Sequence, residues 1–99
     1  MDIQLDMDIR RQTMNVVIKF SGNFCNPCQQ LKPIFDDVVK DIPDIKVVEI
    51  DVEEHPDIAS NYKVKSIPTI IIVDEKDNVL AMKSGMMTKE QLKDLILRC

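Results

Sequence analysis

The sequence predicts an α/β domain in which a central mixed β-sheet is flanked by helices. Three observations predict it. Short β-branched runs (VVIKF, IKVVEIDV and SIPTIIIVD) alternate with segments of helical periodicity. The first two runs are separated by a long amphipathic segment, which calls for a parallel crossover, whereas a polar turn alone separates SIPTIIIVD from VLAMK and makes an antiparallel hairpin. Within this order a CxxC pair, Cys25 and Cys28, stands between the first clear strand and its helix. The carboxyl end of a central strand is where open α/β sheets place their chemistry.

Taken in order, residues 1–15 carry the weakest pattern: IQL reads as a short strand and Asp6 to Met14 as a short helix. VVIKF (16–20) is a buried strand by its branched residues, and SGNF is loop. CNPC then opens a helix whose apolar residues, Cys28, Leu31, Ile34, Phe35, Val38, Val39 and Ile42, recur at three- and four-residue steps. Pro33 should kink it, since proline removes a backbone donor and crowds the preceding turn. Pro43 marks the end. IKVVEIDV (45–52) is the next strand, with Glu49 as its odd member. His55 and Pro56, a solvated turn, lead into a short helix near residues 57–62. SIPTIIIVD (66–74) is entered through an Ile–Pro bond, and Lys76, Asp77 and Asn78 turn it into VLAMK (79–83). Gly85 breaks the pattern. Thr88 and Gln91 then form a capping box for a last helix with Leu92, Leu95 and Ile96 on its apolar side.

The chain of 99 residues has room for one core, so residues 1–99 are read as a single domain. Its net charge of −4 gives a nucleic-acid role no electrostatic support. No window approaches the roughly 18 apolar residues of a membrane span. MDIQLDMDIRRQ lacks the apolar core of a signal peptide, so a reducing cytoplasm is the expected location. There the three cysteines point to catalysis or metal binding rather than to structural staples. A zinc site needs about four ligands, and beyond CNPC only His55 and Cys99 remain, without paired spacing. No metal is expected, and Cys99 reads as a free, incidental thiol.

At a helix N-terminus, free backbone N–H groups and the macrodipole favour an anion. Cys25 is therefore expected as the exposed thiol with the larger thiolate fraction, and Cys28, one turn further in, as the shielded one. That asymmetry suits a two-step exchange in which Cys25 attacks a substrate disulfide and Cys28 then releases the product. Pro27 is tolerated in the first turn, where its missing N–H would have had no partner.

FSGNFCNPC, Pro33, EIDVEEHP, SIPT at 66–69, Gly85 and TKEQLKDLI, in this order and spacing over about residues 16–98, resemble the thioredoxin family. The resemblance implies the thioredoxin fold with a shortened N-terminal strand and helix. It implies protein-disulfide reduction with Cys25 as nucleophile and Cys28 as resolving cysteine. No cofactor is implied beyond that redox-active pair. The implied partners are disulfide-containing proteins and a thioredoxin reductase, with the chain acting as a monomer. It also makes Pro68 a cis-proline abutting the dithiol and presenting the backbone of Ile67 to an extended substrate. Gly85 matches the glycine that lets a third loop approach closely, and Met86 adds apolar contact surface there.

Several positions depart from the family pattern. Phe24 replaces the usual tryptophan, keeping a flat apolar wall without the indole donor, and Asn26 replaces the usual glycine between the cysteines. Lys19 stands where the family typically has a buried aspartate, and Glu49 where it commonly has a lysine. The simplest reading is a buried salt bridge with its ends exchanged, in which the cation favours the Cys28 thiolate. Lys19 snorkelling to the surface is the plainer reading. Domains of this fold also serve as binding modules or assembly subunits, though those have no need of both cysteines and the proline. Oxidase and isomerase relatives often carry histidine at the position of Pro27, so Pro27 favours a reductant.

Overall fold

The computed structural model describes residues 15–99. Their elements are β1 (Asn15–Ser21), α1 (Asn26–Val39), β2 (Ile45–Asp51), α2 (Pro56–Asn61), β3 (Thr69–Val73), β4 (Val79–Ser84) and α3 (Lys89–Leu97). The strand and helix expected before Met14 lie outside the described residues. The strands form one sheet in the order β2-β1-β3-β4. β1 runs parallel to β2 and antiparallel to β3, and β3 and β4 make the expected hairpin.

The sheet is mixed and covered on both faces, which explains why TIIIV of β3 is buried at every position. On one face Val17, Ile70 and Ile72 pack with Leu31, Phe35 and Val38 of α1 and with Leu92 and Ile96 of α3. On the other, Ile18, Phe20, Ile71 and Val73 pack with Ala59 of α2. The rings of Phe20 and Tyr62 meet edge to face, 5.9 Å between centroids. Among the described strands β2 and β4 lie outermost, and Val47, Val79, Leu80 and Met82 are exposed.

Helix α1 runs through Pro33 without a break. The backbone donor missing there would have served the carbonyl of Gln29, on the exposed side of the helix where water can take its place. The helix stops at Val39, earlier than Pro43 implied, and tightens. The N–H groups of Asp41 and Ile42 donate to the carbonyls of Val38 and Val39, three residues back, at 3.2 and 3.1 Å. Ile42 still packs against the core from this last turn. In the hairpin, Oδ1 of Asp74 accepts from the N–H groups of Lys76 and Asn78 at 2.8 and 2.9 Å, closing the turn. The capping box of α3 is formed in both directions, with Gln91 N–H to Thr88 Oγ1 at 3.1 Å and Thr88 N–H to Gln91 Oε1 at 2.9 Å.

Asp37 clasps α1 to α3, pairing with Lys40 at 2.8 Å and with Lys89 of the neighbouring helix. The hydrogen bond from Lys40, then that from Lys89, lowers its carboxyl from 3.8 to about 2. A carboxyl lowered on folding stabilises the folded chain above its unfolded value, and the effect is lost as pH falls through the folded one. Wild type should therefore lose stability between about pH 4 and pH 2 more steeply than Asp37→Asn. Urea midpoints measured across that range test this, and parallel curves would refute it.

Candidate active site

Phe20 and Ser21 end β1, and the turn that follows delivers Cys25 to the N-cap of α1. Its backbone is extended there, with φ −110°, and its sulfur accepts the N–H of Cys28 at 3.1 Å. Pro27 lies in the first turn, as that position allows, and no carboxylate stands among the first-turn residues. The positive end of the helix is thus left for a thiolate rather than for an acidic side chain. Cys25 and Cys28 are joined as a disulfide, with Cα atoms 5.2 Å apart. The expected contrast in exposure is absent in this oxidised form, since Cys25 is 8% and Cys28 5% exposed. The reason is local: at the N-cap the Cys25 sulfur folds over the first turn toward the N–H of Cys28 instead of pointing outward. Asn26, between them, is the first residue of the helix and is exposed.

The register Phe20↔Thr69 sets Ile67 and Pro68 at the same end of the sheet as the cysteine loop. The Ile67–Pro68 bond is cis, and Pro68 is fully buried. Its carbonyl accepts the N–H of Gly85 at 2.8 Å, so the third loop is tied to the second by main chain. Gly85 has φ +88°, and a Cβ there would meet nothing within 4 Å. This glycine is required by its backbone conformation and not, as expected, by close approach. Close approach belongs to Gly22, where a Cβ would lie 3.0 Å from Cδ1 of Ile67. The sequence reading passed over Gly22, although a glycine directly after a strand signals such a contact. It also passed over Thr69, a buried hydroxyl that donates to the Ser66 carbonyl at 2.6 Å and meets Ser84 Oγ at 2.8 Å. Thr69 thereby fastens the cis-proline segment to β4.

Phe24 is 98% exposed and adopts φ +59°, a left-handed conformation uncommon for a bulky residue. It projects from the protein rather than walling the dithiol. Met86 is exposed beside Gly85, while Met87 is part of the core. Lys19 and Glu49 face each other in the β1–β2 register, and Nζ lies 3.1 Å from Oε2. The bridge is formed, but it is buried at one end only: Lys19 is 3% exposed and Glu49 56%. Glu49 emerges from β2, the outermost described strand on that side of the sheet. The ammonium does not snorkel; it sits 5.1 Å from the centroid of Phe35. No hydrogen bond from His55 caps α2, and Cys99 is an exposed free thiol. Among the described residues no three His, Cys, Asp or Glu side chains converge as metal ligands. No helix there is long and apolar enough to cross a membrane.

A cleft of about 420 Å³ lies beside α2 and is lined by Val52, Pro56, Ala59 and Lys63, away from the cysteines. That cleft also carries Ser60 and Lys65 but no cysteine, so the redox pair lies outside it.

Comparison with known proteins agrees with this geometry. The family model described as Thioredoxin matches residues 2–98. A thioredoxin of Mycoplasmoides gallisepticum is 40% identical over 82% of this chain and 80% of its own length. One of Rickettsia typhi is 33% identical over 96% and 90%. Among solved structures, a mutant thioredoxin from Halobacterium salinarum superposes with a TM-score of 0.78 at 30% identity, covering 97% of this chain and 82% of the other. A Nicotiana alata thioredoxin gives 0.80 at 26% identity, covering 98% and 84%. With a family match along nearly the whole chain and a bonded cysteine pair at the head of α1, the chain belongs to the thioredoxin family and is a thiol–disulfide oxidoreductase.

Proposed function

We propose that this chain reduces disulfides of other proteins by dithiol–disulfide exchange. The observation that carries the reading is the placement of Cys25 at the N-cap of α1, before a first turn free of carboxylates. In the reduced protein the Cys25 thiolate attacks a substrate disulfide, forming a mixed disulfide and expelling one substrate thiolate. Cys28 then attacks the Cys25 sulfur. The Cys25–Cys28 bond forms, the second substrate thiolate leaves, and two electrons have passed to the substrate.

The exposed ring of Phe24, the Ile67–Pro68 segment and the Gly85–Met86 loop would receive an extended, partly apolar stretch of substrate around its disulfide. The cysteine pair itself is the redox group, and no further cofactor is required. A thioredoxin reductase returns it to the dithiol, in a reducing compartment such as the cytoplasm, with the chain acting as a monomer. Pro27 favours this direction over oxidation or isomerisation of substrates.

The test is reduction of insulin by dithiothreitol with and without the protein. Wild type should accelerate precipitation of the B chain, and Cys25→Ser should return the rate to that of dithiothreitol alone. Absence of acceleration by wild type would favour a redox-silent binding module. Efficient oxidation of reduced, unfolded ribonuclease without insulin reduction would favour an oxidase.

A further inference from the structure

Lys19 is a buried cation that the exchange chemistry above leaves unused. It lines a small cleft of about 120 Å³ together with Ser21, Cys28, Gln29, Lys32 and Glu49. At about 30 Å³ per water, this space has room for a few water molecules between Cys28 and solvent. The charges facing it come from three elements: Lys19 on β1, Glu49 on β2 and Lys32 on α1. Lys32 is exposed and held 3.3 Å from Asp36, so it adds little.

The Lys19–Glu49 pair is formally neutral but electrically lopsided. Glu49 is mostly in water, which screens its charge, whereas Lys19 lies under the sheet against Phe35 in a medium of lower dielectric. Seen from inside the protein, the pair is net positive. Cys28 is also on that inner side, on the same buried face of α1 as Phe35, seven residues on.

We infer that Lys19 is a positioning residue for the second step of exchange, holding Cys28 as thiolate while its proton leaves through the water-filled cleft. The inference rests on the dithiol exchange proposed above. Cys28 loses its proton to cleft water. Its sulfur then bonds to that of Cys25, the bond from Cys25 to the substrate sulfur breaks, and the departing substrate thiolate takes up a proton from solvent. No side-chain base is needed, and Glu49 acts against Lys19 by attenuating its field.

That opposition supplies the test. In a reduced Cys25→Ser, Cys99→Ser background, Cys28 is the one remaining thiol, and its ionisation is read by thiolate absorbance near 240 nm against pH. Lys19→Met should reduce the thiolate fraction at pH 7 on the order of tenfold, which is one unit in its titration midpoint. Lys19→Arg should preserve it. Glu49→Gln should move the midpoint the other way, raising the thiolate fraction. A merely structural pair would give shifts of one sign for both Lys19→Met and Glu49→Gln, or none, and either result overturns the inference. If Lys19→Met fails to fold, the sign of the Glu49→Gln shift decides alone.

With both cysteines present, Lys19→Met should slow release of the mixed disulfide by about threefold. The loss of thiolate is partly offset by the higher nucleophilicity of a more basic sulfur. The first attack by Cys25 should be unchanged. The titration involves no turnover, so it stands or falls separately from insulin reduction.

Discussion

Cys28→Ser should all but abolish catalytic turnover while leaving the first chemical step intact, so that the protein accumulates joined to its substrate through Cys25. In the wild type the resolving sulfur is already within bonding distance, as the disulfide between residues whose Cα atoms are 5.2 Å apart demonstrates. Intramolecular delivery of this kind corresponds to effective concentrations on the order of 10⁵ M or more, far above any added thiol. Serine cannot complete the displacement, and release then waits for external reductant. Mass spectrometry of the variant after exposure to insulin should find the adduct on Cys25, and dithiothreitol should discharge it. Undiminished turnover by Cys28→Ser would mean that another thiol, such as Cys99, resolves the intermediate.

Leu31→Ala carries the largest expected loss of stability. Leu31 is completely buried one turn beyond Cys28, among Val17, Phe35, Ile70, Ile72 and Leu92. Removing its side chain opens a cavity between α1 and the central strands, at about 2–5 kcal/mol for such a truncation. A domain of this size is stable by only about 5–15 kcal/mol, and the melting temperature should fall by more than about 8 °C. Calorimetry checks this. The same cavity loosens the turn that carries Cys28, so release of mixed disulfides should slow as well. A change of less than about 1 kcal/mol would mean that the helix closes over the gap by shifting toward the sheet.

Local pattern made most of this architecture legible. Cys28, Leu31, Phe35 and Val38 announced the buried stripe of α1, and Thr88 with Gln91 announced the start of α3, because both signals lie within a few residues of one another. Asp77 and Asn78 announced the hairpin for the same reason. What was not legible depends on which strand neighbours which. VVEI reads as apolar, yet β2 lies outermost among the described strands and leaves Glu49 largely exposed, which no property of the run itself reveals. The contact of Gly22 with Ile67 joins loops 45 residues apart in the chain, and the ties of Thr69 appear only once β4 lies alongside β3. The dithiol was found from its spacing, whereas the near-equal burial of its two sulfurs comes from the fold of a side chain at an N-cap.

Phe24 carries a last consequence. It directly precedes Cys25 in the chain, yet its ring contributes nothing to either hydrophobic cluster. Exchanging it removes no packing, and a glycine in its place would even relieve its left-handed backbone. If residue 24 meets substrate as proposed, recognition there is uncoupled from core packing. On that reading a lineage could change which proteins it engages by replacements at residue 24 that tolerate a left-handed backbone, without loss of core packing, while the cysteines and the sheet beneath them stay as they are.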